Sequence, residues 1–301
     1  MKPEFVRAGG PMAGDSDLSP CRPAAYREVS ERRWRGFAAV GGRRCVPEEV
    51  PVALRVNCAD YAVMLASPVD LEDFAHGFLF TEGLIEAPGE VVELTMATRE
   101  EGIVLRLELA TDAVRVVQSS GNSRRLPGAT GCGLCGVQSL REAVRPVPRV
   151  TGVPRVAAAA VGRAVTALRQ WQPLNASAGA LHAAAFATQE GEIVLAREDV
   201  GRHNALDKLI GALLREGRSA QDGFMVMSSR CSYELVQKAA RFGIGMLCTV
   251  SAPTGLAIRL AEEAGMTLVS RAQADGFSVF AGEHRLNWSR DGTKCRPKSW
   301  W

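Results

Sequence analysis

The chain contains 301 residues, of which 47% are hydrophobic and 23% are charged, a balance typical of a soluble globular protein. Its formal net charge is only +3, so the overall charge gives no indication of general nucleic-acid binding. No run of about eighteen apolar residues occurs, which excludes a hydrophobic membrane-spanning helix. The length is sufficient for one large domain or two ordinary ones.

The N-terminal segment and the cysteines suggest where the protein works. Residues 1–24 lack the apolar core of a signal peptide and are predicted to form a flexible tail. We therefore expect a cytoplasmic protein whose thiols are mostly reduced, so its eight cysteines do not indicate a disulfide framework. Cys58 and Cys248 lie in apolar, strand-like runs and are expected to be buried.

Residues 25–145 are predicted to form an α+β domain. Residues 50–66 have the composition of two strands joined by a turn. A helix is expected directly afterwards, with Ser67 as its N-cap, Pro68 at its first position and Gly83 at its C-terminus.

The stretch "QSSGNSRRLPGATGCGLCG", residues 118–136, predicts a long mobile loop. It has no hydrophobic periodicity and is rich in glycine and serine, and long loops in compact domains are usually functional. Its end, "TGCGLCG", holds Cys132 and Cys135 among three glycines, which shield a thiol very little. This motif is the strongest candidate for chemistry in the chain.

Several chemistries fit such a cysteine pair. A reactive thiolate is favoured by nearby Arg124 and Arg125 and by a helix expected to begin near Val137. Zinc binding needs four ligands, so His182 or His203 would have to complete the set. A thioredoxin-like disulfide would open a helix directly after a strand, which this glycine-rich setting does not predict. An inert flexible loop is the remaining alternative.

Beyond the cysteine loop, the proline-containing residues 146–155 are predicted to be a linker and residues 156–284 a second domain. Apolar strands alternate there with helices, which predicts a three-layer α/β/α domain with a largely parallel sheet. Residues 285–301 show no pattern that would bury them and are expected to form a tail. The helices are predicted at residues 202–215, 232–242 and 254–264.

Polar residues gather where the predicted strands meet the following helices. The block "EDVGRHNALDKLIG" places Asp199 and His203 at one such junction, and Ser229 and Thr254 lie at two others. Ligands bind beyond the carboxyl ends of parallel strands, so three junctions on one edge favour a pocket for a nucleotide or phosphate. Surface ion pairs and helix caps are the alternatives.

Taken together, these motifs resemble the FdhD family of formate dehydrogenase accessory sulfurtransferases. The resemblance runs from about residue 48 to about residue 282, and the cysteine loop and the "EDVGRHNALDKL" block are its most specific parts. It implies a cytidine-deaminase-like fold for the C-terminal domain and a homodimer. The matching stretches are "EEVPVALRVN", "MLASPVDLEDFAHGFLFTEGLI", "TGCGLCGVQSL", "LHAAAF", "EDVGRHNALDKLIG", "SSRCSYELVQKAARFGI" and "VSAPTGLAIRLAEEAGMTLV".

The function that the resemblance implies is sulfur transfer. Family members accept sulfane sulfur from a cysteine desulfurase as a persulfide on the first cysteine of the loop, which is Cys132 here. Cys135 would be a supporting or alternative carrier. The sulfur passes to the molybdenum cofactor, as bis-molybdopterin guanine dinucleotide, before that cofactor enters formate dehydrogenase. A guanine nucleotide is the expected mimic of this cofactor, and no nucleic-acid or membrane partner is expected.

The candidate cofactor-binding residues follow from the strand ends and from the loop after the strand "MTLV". This loop departs from the family pattern, because its arginine comes early and a glycine, Gly276, stands where the family commonly has arginine. The position of the pocket therefore carries over, while the identity of its phosphate contact does not. The candidates are Asp199, His203, Ser229, Arg271, Ala272, Gln273, Ala274, Asp275 and Gly276.

Two other functions were weighed against this resemblance. A zinc deaminase needs His-x-Glu followed by Pro-Cys-x-x-Cys, but "HAAAF" lacks the glutamate and the cysteine pair precedes His182. A non-catalytic chaperone that binds the molybdenum cofactor for formate dehydrogenase stays open as the alternative.

Overall fold

The computed structural model describes residues 24–110, 146–151 and 155–288. The predicted cysteine loop, with Cys132 and Cys135, lies outside these ranges. Among the described residues no helix is both long and apolar enough to cross a membrane.

The strands are β1 (Tyr26–Arg35), β2 (Ala38–Pro47), β3 (Val50–Val56), β4 (Ala59–Ala66), β5 (Val91–Arg99), β6 (Gly102–Leu109), β7 (Val156–Ala157), β8 (His182–Thr188), β9 (Ile193–Asp199), β10 (Gly223–Met227), β11 (Met246–Thr249), β12 (Thr267–Ser270), β13 (Ser278–Ala281) and β14 (Leu286–Asn287). The α-helices are α1 (Leu71–Glu82), α2 (Ala158–Ala167), α3 (Pro173–Ala178), α4 (Arg202–Arg215), α5 (Tyr233–Phe242) and α6 (Gly255–Ala264). Short 3₁₀ turns lie at Pro88–Glu90, Leu168–Trp171, Ala220–Asp222 and Glu283–Arg285.

The N-terminal region contains a four-stranded sheet in the order β4-β3-β6-β5. Its alternating apolar side chains turn one face inward, as Ile103, Leu105 and Leu107 on β6 show by their burial. This face belongs to the same buried cluster as Phe74 and Phe78 of α1. The predicted pairing of the two strands in residues 50–66 is confirmed, since β3 and β4 form an antiparallel hairpin.

The C-terminal region contains a six-stranded sheet in the order β13-β12-β11-β10-β8-β9. The prediction of a largely parallel sheet is wrong, because only β10, β11 and β12 pair in parallel, while β8–β9, β8–β10 and β12–β13 are antiparallel. Only residues 189–192 separate β8 from β9, which is enough for a hairpin but too short for a parallel crossover.

Helices cover both faces of this sheet, which confirms the α/β fold. On one face α2 packs through Val161 and Ala164 against Ala185 and Val226 of the sheet. On the other face α4, α5 and α6 belong to the larger cluster, which also contains α1 and the four-stranded sheet. The N-terminal and C-terminal regions thus share one continuous core through α1 and α4.

Two glycines allow α1 and α4 to cross in close contact. A Cβ atom at Gly77 would overlap the Asp207 carbonyl group, and one at Gly211 would overlap the Asp73 carbonyl group. Backbone therefore meets backbone at this crossing, as small residues at helix interfaces permit. This crossing fixes the N-terminal region against the strand-to-helix junction where α4 begins.

The start of α1 differs from its prediction. The helix begins at Leu71, and the residue before it, Asp70, has a left-handed backbone with a φ of 51°. The predicted N-cap at Ser67 is therefore wrong, because Ser67 is buried and bonds to the C-terminal region instead. The predicted C-terminus at Gly83 is confirmed by its φ of 83° and its hydrogen bonds to the last turn.

Ordered structure also continues past residue 284, so the tail predicted over residues 285–301 begins later. Leu286 and Asn287 form β14, which pairs in parallel with β7. Arg285 is buried and donates to the carbonyl oxygens of Gly265 and Val150. Val150 lies in the predicted linker, so part of that segment packs against the C-terminal region.

Candidate functional site

The carboxyl ends of four strands lie at one edge of the six-stranded sheet. β10, β11 and β12 are parallel, and β9 runs in the same direction because β8 is antiparallel to both β9 and β10. Asp199 ends β9, and Ser228, Val250 and Arg271 directly follow β10, β11 and β12. The expectation that these junctions share one edge is confirmed.

Asp199 occupies the centre of a buried polar cluster. Its Oδ2 lies 2.7 Å from Lys208 Nζ and accepts the backbone N–H of Ser67 at 3.0 Å. Its Oδ1 accepts the N–H of Gly201 at 2.7 Å and the amide of Asn204 at 3.0 Å. Since four protein donors already satisfy this carboxylate, it holds three segments together. A role of Asp199 in cofactor binding stays a prediction.

The same cluster ties the segment before α1 to the start of α4. Lys208 Nζ donates to the carbonyl oxygen of Ser67 at 3.0 Å, and Ser67 Oγ accepts the N–H of Val200 at 3.1 Å. Asn204 donates to the carbonyl oxygen of Leu65 at 2.7 Å. The conformation of the junction after β9 therefore depends on residues that lie far away in the sequence.

His203 lies in the first turn of α4 and contacts the start of α5. Its Nε2 is 2.8 Å from Glu234 Oε2 and 3.1 Å from Ser232 Oγ. Glu234 is buried, so the imidazole is held by an acceptor that is itself fixed in the protein interior. The pair can hold or move a proton at Nε2, and it fixes the ring at the edge of the sheet.

His182 begins β8 directly opposite Asp199, and the sequence analysis did not include it among the candidate cofactor-binding residues. Burial lowers the pKa of His182, the charges of Arg202, His203 and Arg230 lower this pKa further, and the charge of Asp199 opposes them. The ring is therefore held neutral among cationic groups. Arg202 and Arg230 thus place positive charge near this end of β8.

The serines after β10 have different roles. Ser228 Oγ accepts the N–H of Ala183 at 2.8 Å, which fixes the end of β10 against β8. Ser229 is buried, its hydroxyl donates to the Arg230 carbonyl oxygen at 2.9 Å, and its own carbonyl accepts the N–H of Ser251 at 3.3 Å. Ser229 thus links the ends of two strands.

The loop after β12 has a backbone fixed by its neighbours. Arg271 has a φ of 53°, a left-handed conformation that non-glycine residues adopt rarely. Its N–H donates to the carbonyl oxygen of Ser251 at 3.1 Å, and the next N–H, of Ala272, donates to Thr249 at 3.2 Å. Gln273 N–H closes a turn on the Gly276 carbonyl at 2.7 Å. The bonds to β11 hold the strained residue in place.

This loop lines two adjoining cavities between itself and α2. The first has a volume of about 410 Å³, and the second, of about 630 Å³, shares Thr166 and Ala274 with it. Both volumes are within the range of small-molecule sites, roughly 300–1,000 Å³. The first is lined in part by Arg169, Gln172, Ser228, Ala272 and Gln273, and the second by Gly162, Arg163, Asp275, Gly276 and Phe277.

The predicted cofactor-binding residues thus fall into two groups on one edge. Ala272 to Gly276 line the cavities, and Arg271 precedes them with an exposed side chain. Asp199, His203 and Ser229 do not line either of these two cavities and instead hold the junctions together. Arg169 and Gln172, which lie in and directly after the 3₁₀ turn Leu168–Trp171, were not among the predicted residues. Gly162, a glycine inside α2 that lies close to the Ala274 carbonyl group, was the available signal.

Two arginines, one in the 3₁₀ turn after α2 and one in the loop after β12, are suited to a phosphate. Arg169 lines the first cavity and forms no ion pair with any residue in the described ranges. Arg271 is likewise exposed, and no carboxylate of the described chain pairs with it. A Cβ atom at Gly276, where the family pattern has arginine, would meet open space.

Two further features of the described residues concern the grouping of metal-ligand side chains and the exposure of the cysteines. Within the described ranges, no three His, Cys, Asp or Glu side chains gather as metal ligands. Cys248 is buried as predicted, whereas the prediction for Cys58 is wrong, since its left-handed turn exposes it. Burial raises the pKa of the Cys231 thiol to about 12, so this thiol is unreactive at neutral pH.

The fold and this edge define an α/β protein with a pocket of nucleotide size between a helix and a strand-end loop. Residues 47–287 match the model of the FdhD/NarQ family. The chain therefore belongs to the FdhD/NarQ family.

Individual relatives agree with this assignment. The sulfur carrier protein FdhD of Bordetella petrii is 45% identical over 241 residues, which cover 80% of this chain and 86% of the relative. The protein of the same name from Variovorax paradoxus is 42% identical over 268 residues, covering 89% and 96%. A crystal structure assigned as a formate dehydrogenase accessory protein from Desulfotalea psychrophila has the same fold, with a TM-score of 0.68 at 22% identity, covering 87% of this chain and all of that one.

Proposed function

We propose that this protein is a sulfur carrier that supports the maturation of formate dehydrogenase. The family membership and the shared name of its relatives, sulfur carrier protein FdhD, support this function. The specific form that we propose is a cytoplasmic homodimer that accepts sulfur from a cysteine desulfurase and delivers it to the molybdenum cofactor. The substrate form is bis-molybdopterin guanine dinucleotide.

Cys132 is the proposed acceptor of sulfur. Its thiolate attacks the outer sulfur of the desulfurase persulfide, so a bond forms between Cys132 Sγ and that sulfur. The sulfur–sulfur bond of the donor breaks, and the donor cysteine leaves as a thiolate. Arg124 and Arg125, eight and seven residues earlier in the sequence, favour the thiolate by their charge.

Cys135 is the proposed source of electrons for release. A sulfane sulfur must gain two electrons to leave as sulfide. The Cys135 thiolate supplies them by attacking Cys132 Sγ, which forms a Cys132–Cys135 disulfide and releases hydrosulfide next to its acceptor. A cellular dithiol must then reduce the disulfide before the next cycle.

The two adjoining cavities carry the proposal for the cofactor. They lie beyond the carboxyl ends of the strands, where α/β folds bind nucleotides, and the predicted residues 272–276 line them. Arg169 and Arg271 are available for phosphate oxygens, and the turn at residues 273–276 gives the loop a fixed shape. The bound cofactor supplies the metal that takes the sulfur. These protein groups would bind and orient its nucleotide portion.

Mass spectrometry after incubation with a cysteine desulfurase and cysteine tests the sulfur transfer. Trypsin releases both cysteines in one peptide, residues 126–141. We expect this peptide to gain one sulfur in the wild-type protein and in Cys135→Ala, and no sulfur in Cys132→Ala. Cys58→Ala is the matched control, because Cys58 is the exposed cysteine of the described residues. No gain with an active donor would overturn the proposal.

The non-catalytic chaperone is the second candidate, and it rests on the same cavities. It predicts that Cys132→Ala supports normal formate dehydrogenase activity in cells that lack the native gene. Sulfur transfer predicts that this variant supports none, while Cys58→Ala supports normal activity.

A further inference from the structure

A long hairpin formed by β1 and β2 lies before residue 48, almost entirely outside the residues 47–287 that match the family model. Ten residue pairs join its strands, from Tyr26 opposite Pro47 to Arg35 opposite Ala38. Gly36, with a φ of 57°, and Phe37 form the two-residue turn, a position where glycine supplies the backbone required. Among the described residues these two strands pair only with each other.

The tip of the hairpin exposes aromatic side chains. Trp34 is 67% exposed, and Phe37, in the turn, is fully exposed. Isolated two-stranded hairpins are at best marginally stable in water, and every residue of this one from Arg32 to Arg44 is exposed, while Val29, Glu31 and Cys45 to Pro47 are partly buried. Large aromatic groups at a projecting tip cost solvation free energy unless another surface covers them.

Positive charge is concentrated in the same hairpin. Residues 26–47 contain six arginines and two glutamates, a formal charge of +4, which exceeds the +3 of the whole chain. Salt bridges join Arg43 to Glu28 and Arg44 to Glu31 along the strands. Arg32 and Arg35, next to Trp34, form no ion pair with any described residue. Exposed tryptophan and unpaired arginine are the residues that contribute most to protein interfaces.

One strand of the hairpin, β2, lies next to the candidate cofactor site. β2 contacts α3, and Gln172, at the N-terminal cap of α3, lines the cavity of about 410 Å³. A protein that binds the hairpin is therefore brought close to the cavity. Of the two protein partners in the proposed function, the desulfurase and formate dehydrogenase, the one that must take up the cofactor from this site is formate dehydrogenase.

We propose that the hairpin tip, Arg32 to Phe37, docks onto an acidic, partly apolar surface of the apoenzyme that receives the cofactor, which is apo-formate dehydrogenase if the proposed function holds. The aromatic side chains fill an apolar recess, and the two arginines pair with carboxylates around it. Glu28 and Glu31 lie among these arginines in the hairpin. They make a protein a more suitable partner than a nucleic acid, because their carboxylates repel phosphate groups.

The test measures binding of the full-length protein to purified apo-formate dehydrogenase by biolayer interferometry. Trp34→Ser/Phe37→Ser and Arg32→Glu/Arg35→Glu are each expected to weaken binding about tenfold or more. The matched controls are Val92→Ser and Arg259→Glu, which change exposed residues elsewhere, and are expected to bind normally. Added salt should weaken the wild-type complex more than that of the arginine variant.

Further measurements distinguish apo-formate dehydrogenase from other molecules that could bind the hairpin tip. Affinities of both hairpin variants within twofold of wild type would overturn the proposal. The proposal would also be overturned if the variants lost binding to the desulfurase or to poly(U) and kept their binding to the apoenzyme. A third contrary result would be that the variants lose apoenzyme binding only because a dimer dissociates, which light scattering measures. Thermal melting checks that each variant is folded.

Sulfur loading keeps this test distinct from that of the proposed function. The hairpin variants should still accept sulfur on Cys132 when the desulfurase is in excess. If the wild-type protein accepts none, the sulfur-carrier function fails, while the apoenzyme-binding comparison still decides the role of the hairpin.

Discussion

Lys208 Nζ lies 2.7 Å from Asp199 Oδ2, and both side chains are fully buried. The pair joins the end of β9 to the middle of α4, and its other hydrogen-bond partners are Ser67, Glu198, Gly201 and Asn204. Desolvation of two charges is costly, so such a pair specifies a conformation more than it adds stability. Here that conformation is the junction at the edge that carries the cavities.

Removing one member of this pair should destabilise the protein strongly. Lys208→Met leaves the Asp199 carboxylate buried without its cation, and breaking such a pair costs about 3–5 kcal/mol. Urea unfolding measures this loss. The control is Asp60→Asn, which removes an exposed pair with Arg55 and should cost less than about 1 kcal/mol.

A further variant, Asp199→Asn, decides whether Asp199 has a direct role toward the ligand. If Asp199→Asn kept wild-type stability and lost only nucleotide affinity, Asp199 would contact the ligand and the structural role argued here would be wrong.

Local patterns predicted the helices and strands of the C-terminal region well. The helix predicted at residues 202–215 is found with those bounds, because its apolar spacing and its burial agree. Whether neighbouring strands run parallel or antiparallel was harder to predict from the sequence. It depends on whether a short connection such as residues 189–192 is a turn or part of a crossover. The edge of the sheet was nevertheless located correctly from its polar strand ends.

Long-range contacts account for what the sequence could not show. Ser67 is a residue type that commonly caps helices, yet its hydrogen-bond partners include Asp199 and Lys208, more than a hundred residues away in the sequence. Asp199 has the residue type and the position of a ligand-binding residue, yet its carboxylate oxygens already accept hydrogen bonds from protein donors. A local pattern gives the chemical capacity of a side chain, whereas tertiary structure decides which partner uses that capacity.

The crossing of α1 and α4 should not tolerate a methyl group. Gly77→Ala places a Cβ atom against the Asp207 carbonyl group, where both partners are backbone and neither can turn aside. We expect a loss of about 3 kcal/mol in unfolding free energy, at the upper end of overpacking effects. Gly89→Ala is the control, because a Cβ there meets nothing within 4 Å. Equal unfolding midpoints for the two variants would show that the helices are farther apart than described.

His182 should make the stability depend on pH. Burial and the neighbouring charges of Arg202, His203 and Arg230 lower its pKa in the folded state, with Asp199 acting in the opposite sense. Below the ordinary histidine value of about 6.5 the unfolded chain therefore binds more protons, so stability falls as the pH falls.

Replacement of His182 should remove part of this dependence. We expect His182→Asn to lose less unfolding free energy than wild type as the pH is lowered from about 7 to about 5. Urea titrations at several pH values measure the slope. Replacing the exposed His284 by asparagine serves as the control, and an unchanged slope in His182→Asn would contradict the assigned surroundings.

The proposed binding of a nucleotide in the cavities should depend on the approach of α2 to the loop after β12. A Cβ atom at Gly162 would lie 2.6 Å from the Ala274 carbonyl oxygen, so Gly162→Ala must push the loop away from the helix. Ala274→Phe fills the cavities directly, since Ala274 lines both of them. Each variant should weaken GDP binding about tenfold or more, because fit within a small pocket is lost. Isothermal titration calorimetry measures the affinities.

Gly276→Ala separates crowding at this contact from a general effect of altering the loop. It adds the same methyl group in the same loop, but into open space, and should bind GDP as wild type does. Thermal melting identifies any variant that fails to fold, and the Ala274 substitution tests the cavity independently of the helix. If Gly162→Ala and Ala274→Phe bound GDP as tightly as Gly276→Ala does, the nucleotide would have to bind elsewhere. The proposed contacts of Arg169 and Arg271 with its phosphates would then be wrong as well.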